Sequence, residues 1–148
     1  MPAWIEITTT LLASRFSQTE WTAFTTAAKA ISGQDVITTT IRDVCAEVVG
    51  SVLSCPRNAA GTEGTIPPEL VSTTLEILRA TLASRLPAAS IVFDDVRKDL
   101  LRAARERLAA VAKCDFYISP PTTSATDSPV PDGGDYGGED TIDFTPLR

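Results

Sequence analysis

The chain contains no histidine. This removes the commonest general base and rules out Ser-His and Cys-His nucleophile pairs. Cysteine is scarce: Cys45, Cys55 and Cys114 are an odd number with no CxxC spacing. That pattern argues against a zinc site and against a disulfide framework. No apolar run approaches the roughly 18 residues that suggest a membrane span. The first residues, Met1–Glu6, have no basic region ahead of an apolar core, so a secretory signal is not expected. The chain is therefore expected in the cytosol when made, without a membrane partner.

Carboxylates do not fill the chemical gap. Asp94-Asp95 and Glu139-Asp140 are adjacent pairs, and adjacent residues on a helix point apart. Gly61 and Gly64 lie in a polar stretch that lacks the GxxxxGK[ST] pattern of a phosphate cradle. No enzyme, cofactor or metal site is expected, and function has to be sought in surfaces.

What is present is a chain of 148 residues, 43% hydrophobic and 22% charged, which suits one domain with a real core. The net charge of −6 is unevenly placed. Residues 1–114 carry 12 acidic and 12 basic side chains, whereas residues 115–148 carry seven acidic residues against Arg148 alone. The acidity belongs to the C-terminal segment.

Helical periodicity dominates the first of these regions. Trp4-Ile5-Glu6-Ile7 reads as an edge strand or anchoring arm, with Trp4 and Ile5 as candidate contacts and Trp4 more at home in a core. Thr8–Arg15 reads as a short helix. Ser17 followed by Glu20 matches a capping box, opening a second helix whose stripe is Trp21, Phe24, Ala28 and Ile31. Asp35 caps a third helix carrying Ile37, Ile41, Val44, Cys45, Val48 and Val52 to about Leu53. Cys55-Pro56 stops it, and 56–65 is loop by composition. Pro68 then suits a first helical position, and Pro87 closes the central helix. Two adjacent stripes, Leu70–Thr74–Ile77–Thr81 and Val71–Leu75–Leu78–Leu82, predict that this helix packs on two sides. A fifth helix begins near Ser90, with Phe93, Val96, Leu100, Ala104, Leu108 and Val111 as its expected buried stripe.

The outer faces of that fifth helix carry Arg97, Lys98, Arg102, Arg105, Arg107 and Lys113, interleaved with Asp94, Asp95, Asp99 and Glu106. They form either a solvated face or a charged docking face, for which Arg97, Arg102 and Arg105 are the candidates. From Phe116 onward proline, glycine and serine prevail, and such a stretch buries too little to order itself. Phe116, Tyr117, Ile118, Tyr136, Ile142, Phe144 and Leu147 nonetheless recur along it as candidate anchors for a partner. The expected architecture is all-α: a small bundle of about four to five helices over residues 1–114, a short N-terminal arm, and a long, acidic, extended C-terminal arm over 115–148.

The order of these features resembles a family of tailed-phage and prophage proteins, the small head–tail joining proteins, also called connectors or adaptors, similar to the Mu-type head–tail joining family. The matching residues are Trp4–Thr8, Ser17 and Glu20, Ile66–Leu70, Ser84–Pro87 and Val96–Pro121. Arg79-Ala80-Thr81-Leu82 departs from the family's "RY.L" pattern by lacking the tyrosine. The resemblance implies a structural virion protein at the head–tail neck, assembled as a homo-oligomeric ring, commonly of twelve copies. It implies a portal protein above and a further neck or tail protein below, with DNA passing through without sequence-specific binding. The alternatives are a tail-completion or tail-terminator protein, expected to contain a mixed α/β sheet, and a small cytosolic helical partner-binding protein or chaperone.

Overall fold

A computed structural model describes residues 3–31 and 34–122. Tyr136, Ile142, Phe144 and Leu147, and with them most of the expected C-terminal arm, lie outside the described residues, as does Ser32-Gly33. The body is mostly helical: α1 (Thr9–Arg15), α2 (Gln18–Lys29), α3 (Val36–Leu53), α4 (Val71–Arg85) and α5 (Asp95–Ala112). Two short strands, β1 (Ile5–Glu6) and β2 (Thr65–Ile66), pair antiparallel with Ile5 opposite Ile66. The all-α expectation holds, and the end of the expected 56–65 loop contributes the second strand.

Local chemistry sets the helix starts. Thr8, Ser17, Asp35 and Asp94 each accept a hydrogen bond from the backbone N–H three residues on, which supplies a partner to a donor the helix cannot satisfy. That bond holds the exposed Asp35 carboxyl below its ordinary value. Its support for α3 is therefore complete at neutral pH and fades as the pH falls through the lowered value. Pro68 opens a single 3₁₀ turn, Pro68–Leu70, that runs directly into α4.

Helices α3, α4 and α5 pack against one another in all three pairings, and α2 covers α3 and the 3₁₀ turn Pro87–Ala89. All six expected residues of the α3 stripe are buried. So are both stripes of α4, save Thr81, which is half-buried. The central helix thus finds its two partners, α3 and α5, within one chain. Thr40 and Thr74 sit fully buried because each hydroxyl donates to the carbonyl four residues back, Val36 O at 2.7 Å and Leu70 O at 2.8 Å.

Five expectations need correction. The fifth helix starts at Asp95, capped by Asp94, rather than near Ser90, which ends the 3₁₀ turn Pro87–Ala89 in a left-handed conformation, so Phe93 precedes the helix and is half-buried. The capping box forms by halves: Ser17 accepts from Glu20 N, but the Glu20 carboxylate is drawn away by two arginines. Ile31 is exposed because α2 ends at Lys29, two residues short of it. Val96 and Leu100 are exposed, at 66% and 46%. A strict i+4 series drifts about 40° per step on a 3.6-residue helix, so a series that buries Ala104 and Leu108 has turned Val96 well off the core. Lastly, Cys55 and Cys114 form a disulfide with Cα atoms 5.2 Å apart. The odd cysteine is Cys45, buried within α3.

Burial pushes the Cys45 thiol up to about 11, which leaves almost no thiolate at pH 8. The native, unreduced protein is expected to resist iodoacetamide at that pH and to take up one label, at Cys45, once unfolded in urea. Intact-mass measurement checks both.

Candidate interaction surface

Two charged clusters knit the body and show which cations remain for a partner. Glu20 is only 4% exposed, and its Oε1 accepts from Arg79 Nε at 2.8 Å and from Arg97 Nη1 at 3.3 Å, joining α2 to α4 and α5. Arg79 also bonds Glu76 at 2.8 Å and lies 4.8 Å over the Phe16 ring. Arg97 is thus committed inside its own chain. Arg102 pairs with Asp99 at 3.0 Å on the exposed face, and Arg105 lies 3.8 Å from Glu47 of α3. Of the three candidate docking arginines, only Arg102 and Arg105 are largely exposed, and both face acids of this chain.

The segment after α5 is seated on the body rather than free from residue 115. The disulfide fixes Cys114 to the end of α3, and the Arg57 guanidinium donates to Cys114 O. Phe116 is half-buried with the Arg107 guanidinium 5.5 Å above its ring. Ile118 is buried in the core. Trp4 Nε1 donates to Ser119 O at 2.9 Å, and Ser119 N donates to Glu69 Oε1 at 3.2 Å, with Ser119 Oγ on the same oxygen. Glu69 Oε2 is buried without a hydrogen-bond partner among the described residues. These contacts frame a cavity of about 490 Å³ between Trp4, the disulfide and residues 115–120.

The named anchors therefore divide. Trp4 and Ile118 spend their apolar surface on their own core, Phe116 half of its own, while Tyr117 stays 71% exposed and Ile5 is partly exposed on β1. Trp4 also fills the space over Gly61, where an added Cβ would lie 2.3 Å from the indole Cε3. Gly61→Ala is expected to displace the indole or the loop and to cost about 1–3 kcal/mol, as overpacking does. Urea denaturation with tryptophan fluorescence reads both effects.

Three of the seven large hydrophobic residues left exposed among the described residues lie on α5 or just before it. Val92 is 80% exposed, and Val96, Leu100 and Ala103 follow it, the last three at i, i+4 and i+7 on one flank. Sequence reasoning assigned Val96 and Leu100 to the core; the drift of the i+4 series was the signal that would have placed them outside. Among the described residues no group of three or more His, Cys, Asp or Glu side chains converges as metal ligands, and no helix is long and apolar enough to cross a membrane. No protein-family model, curated protein or solved structure matches the chain.

Proposed function

We propose that this chain is a structural subunit of a phage head–tail adaptor: a helical protomer that assembles with copies of itself into a ring, commonly of twelve, beneath a portal. Such a ring continues the DNA channel and offers a platform to the next neck or tail protein. The observation that carries the reading is the α5 flank. The body closes its core within one chain, yet Val96 and Leu100, one turn apart on α5, remain exposed, as does Val92 just before the helix. Exposed apolar residues in a contiguous patch mark a surface for another protein. Ring closure multiplies weak single contacts, so each interface needs only modest area.

Two further features support it. The helical body, with only a two-stranded pairing of two residues each, fits an adaptor better than a mixed-sheet tail-completion protein. Residues 1–114 balance 12 acidic against 12 basic side chains, which suits a wall along which DNA slides without being held.

Native mass spectrometry of the purified chain, alone and mixed with a candidate portal, tests the reading. A dodecamer-scale mass, or a portal complex, that is lost in Val96→Asp/Leu100→Asp is the expected result. A strict monomer that ignores the portal overturns it and leaves a small helical partner-binding protein.

A further inference from the structure

We propose that the cavity between α3 and the N-terminal strand binds a small zwitterion with an apolar side chain, of the class of the apolar α-amino acids. The site lies within one chain and does not depend on ring assembly.

The walls come from three segments. Thr38, Ile41, Arg42, Cys45, Ala46 and Val49 recur at helical spacing along one face of α3. Trp4, Glu6 and Ile7, with residues 61–64, stand opposite that face and enclose about 310 Å³, at the small end of the range for ligand sites. The second wall is held in place. Gly61 lets the loop rest directly on the Trp4 indole, Gly64 turns the chain at a φ of 80°, and β2 then pairs with β1. Space remains because Cys45 and Ala46, midway along the α3 face, are small.

The floor and the mouth differ in chemistry. Trp4, Ile7, Ile41 and Cys45 are buried and make the floor apolar. Charge is confined to the mouth, where Glu6, Arg42 and Glu63 are exposed. None of these three forms an ion pair among the described residues, whereas Arg79, Arg85, Arg97, Arg102 and Arg105 each pair with an acid of this chain. Arg42 therefore keeps its guanidinium for a ligand.

A ligand that suits both regions places an apolar group on the floor and both signs of charge at the mouth. Its carboxylate meets Arg42, whose planar fork can donate two parallel N–H bonds. Its ammonium meets the carboxylates of Glu6 and Glu63. A simple carboxylic acid would bring its charge to a mouth with two acids against one base. An amine alone would leave Arg42 unanswered. An amino acid with a leucine- or phenylalanine-sized side chain carries both charges on one carbon and matches the mixed mouth.

Calorimetric titration and saturation-transfer NMR on the full chain test this. The probes are L-phenylalanine, phenethylamine, which lacks the carboxylate, and hydrocinnamate, which lacks the ammonium. Phenylalanine is expected to bind at least about tenfold more tightly than either probe of single charge. Arg42→Ala should weaken phenylalanine by about tenfold without weakening phenethylamine. Ala46→Leu, which fills the space over α3, should abolish binding. Both positions are exposed, so the fold is expected to survive, and circular dichroism with an unchanged urea midpoint checks that it does. No binding of phenylalanine at about 10 mM overturns the proposal. Equal binding of phenylalanine and phenethylamine overturns it too, as does binding that persists in folded Ala46→Leu.

Discussion

Replacing Glu20 with alanine is expected to destabilise the protein by about 3 kcal/mol, near the lower end for removing one partner of a buried ion pair. The carboxylate is 4% exposed and is shared by Arg79 and Arg97. Without it, two guanidinium groups lose their common acceptor and the tie between α2, α4 and α5. The loss is held to the lower end because neither cation is stranded. Arg79 keeps Glu76 at 2.8 Å and the Phe16 face, and Arg97 is exposed enough to turn toward water. Glu20→Gln keeps an acceptor and is expected to cost about half as much. Glu76→Ala, on the outer side of the same arginine, is expected to cost less than about 1 kcal/mol. Urea midpoints at constant slope give the ranking. A Glu20→Ala variant within about 0.5 kcal/mol of wild type would mean that the shared carboxylate does not hold the helices.

Glu20 also shows where sequence reasoning reaches its limit. Periodicity made α3 and α4 legible, because one stripe of Ile, Val and Cys and two stripes around Leu78 are local patterns read directly along the chain. The helix starts at Ser17 and Asp35 were legible for the same reason, since a cap is a local hydrogen bond. The role of Glu20 was not. As the fourth residue of a Ser17 capping box it has a complete local explanation, and Arg79 is 59 positions away. Nothing in the sequence prefers that distant partner over the near one.

The α5 flank failed in another way. Its i+4 spacings fit a helix but walk around it, so Val96 and Leu100 share a pattern with Leu108 without sharing its face. Of the candidate surface, the C-terminal anchors were legible only as a composition, and the structure divides those it reaches. Ile118 enters the core, Phe116 lies under Arg107, and Tyr117 stays out. That division depends on the disulfide, on Trp4 and on Glu69, all far from these residues in sequence. The exposed flank of α5 thus becomes visible only when the helix is seen beside its neighbours, and the proposed function rests on it.

Breaking the Cys55–Cys114 bond is expected to have the largest effect of any single covalent change in the body. The two residues are 59 apart in sequence, and in the chain-entropy model a closed loop of that size is worth about 4 kcal/mol, with the actual figure depending on residual structure in the unfolded chain. For a domain of this size that corresponds to a fall of roughly 10 °C in Tm, measurable by calorimetry with and without a phosphine reductant. The helices should survive reduction, since the packing of α3, α4 and α5 does not pass through either sulfur. The segment after Cys114 should loosen first. It keeps Trp4, Arg57 and Glu69 as partners, but these are a few noncovalent contacts once the staple is open. Limited proteolysis therefore ought to cut between Cys114 and Thr122 faster in the reduced protein, while cleavage within α4 stays slow. Three titratable thiols in the unreduced, unfolded chain would show that the bond had not formed. An unchanged Tm on reduction, with the bond proven by mass, would show that Trp4 and Glu69 hold this segment without it. Cys55→Ser decides between the two sources of hold, since it removes the covalent tie under any redox condition and leaves every hydrogen bond of Ser119 in place.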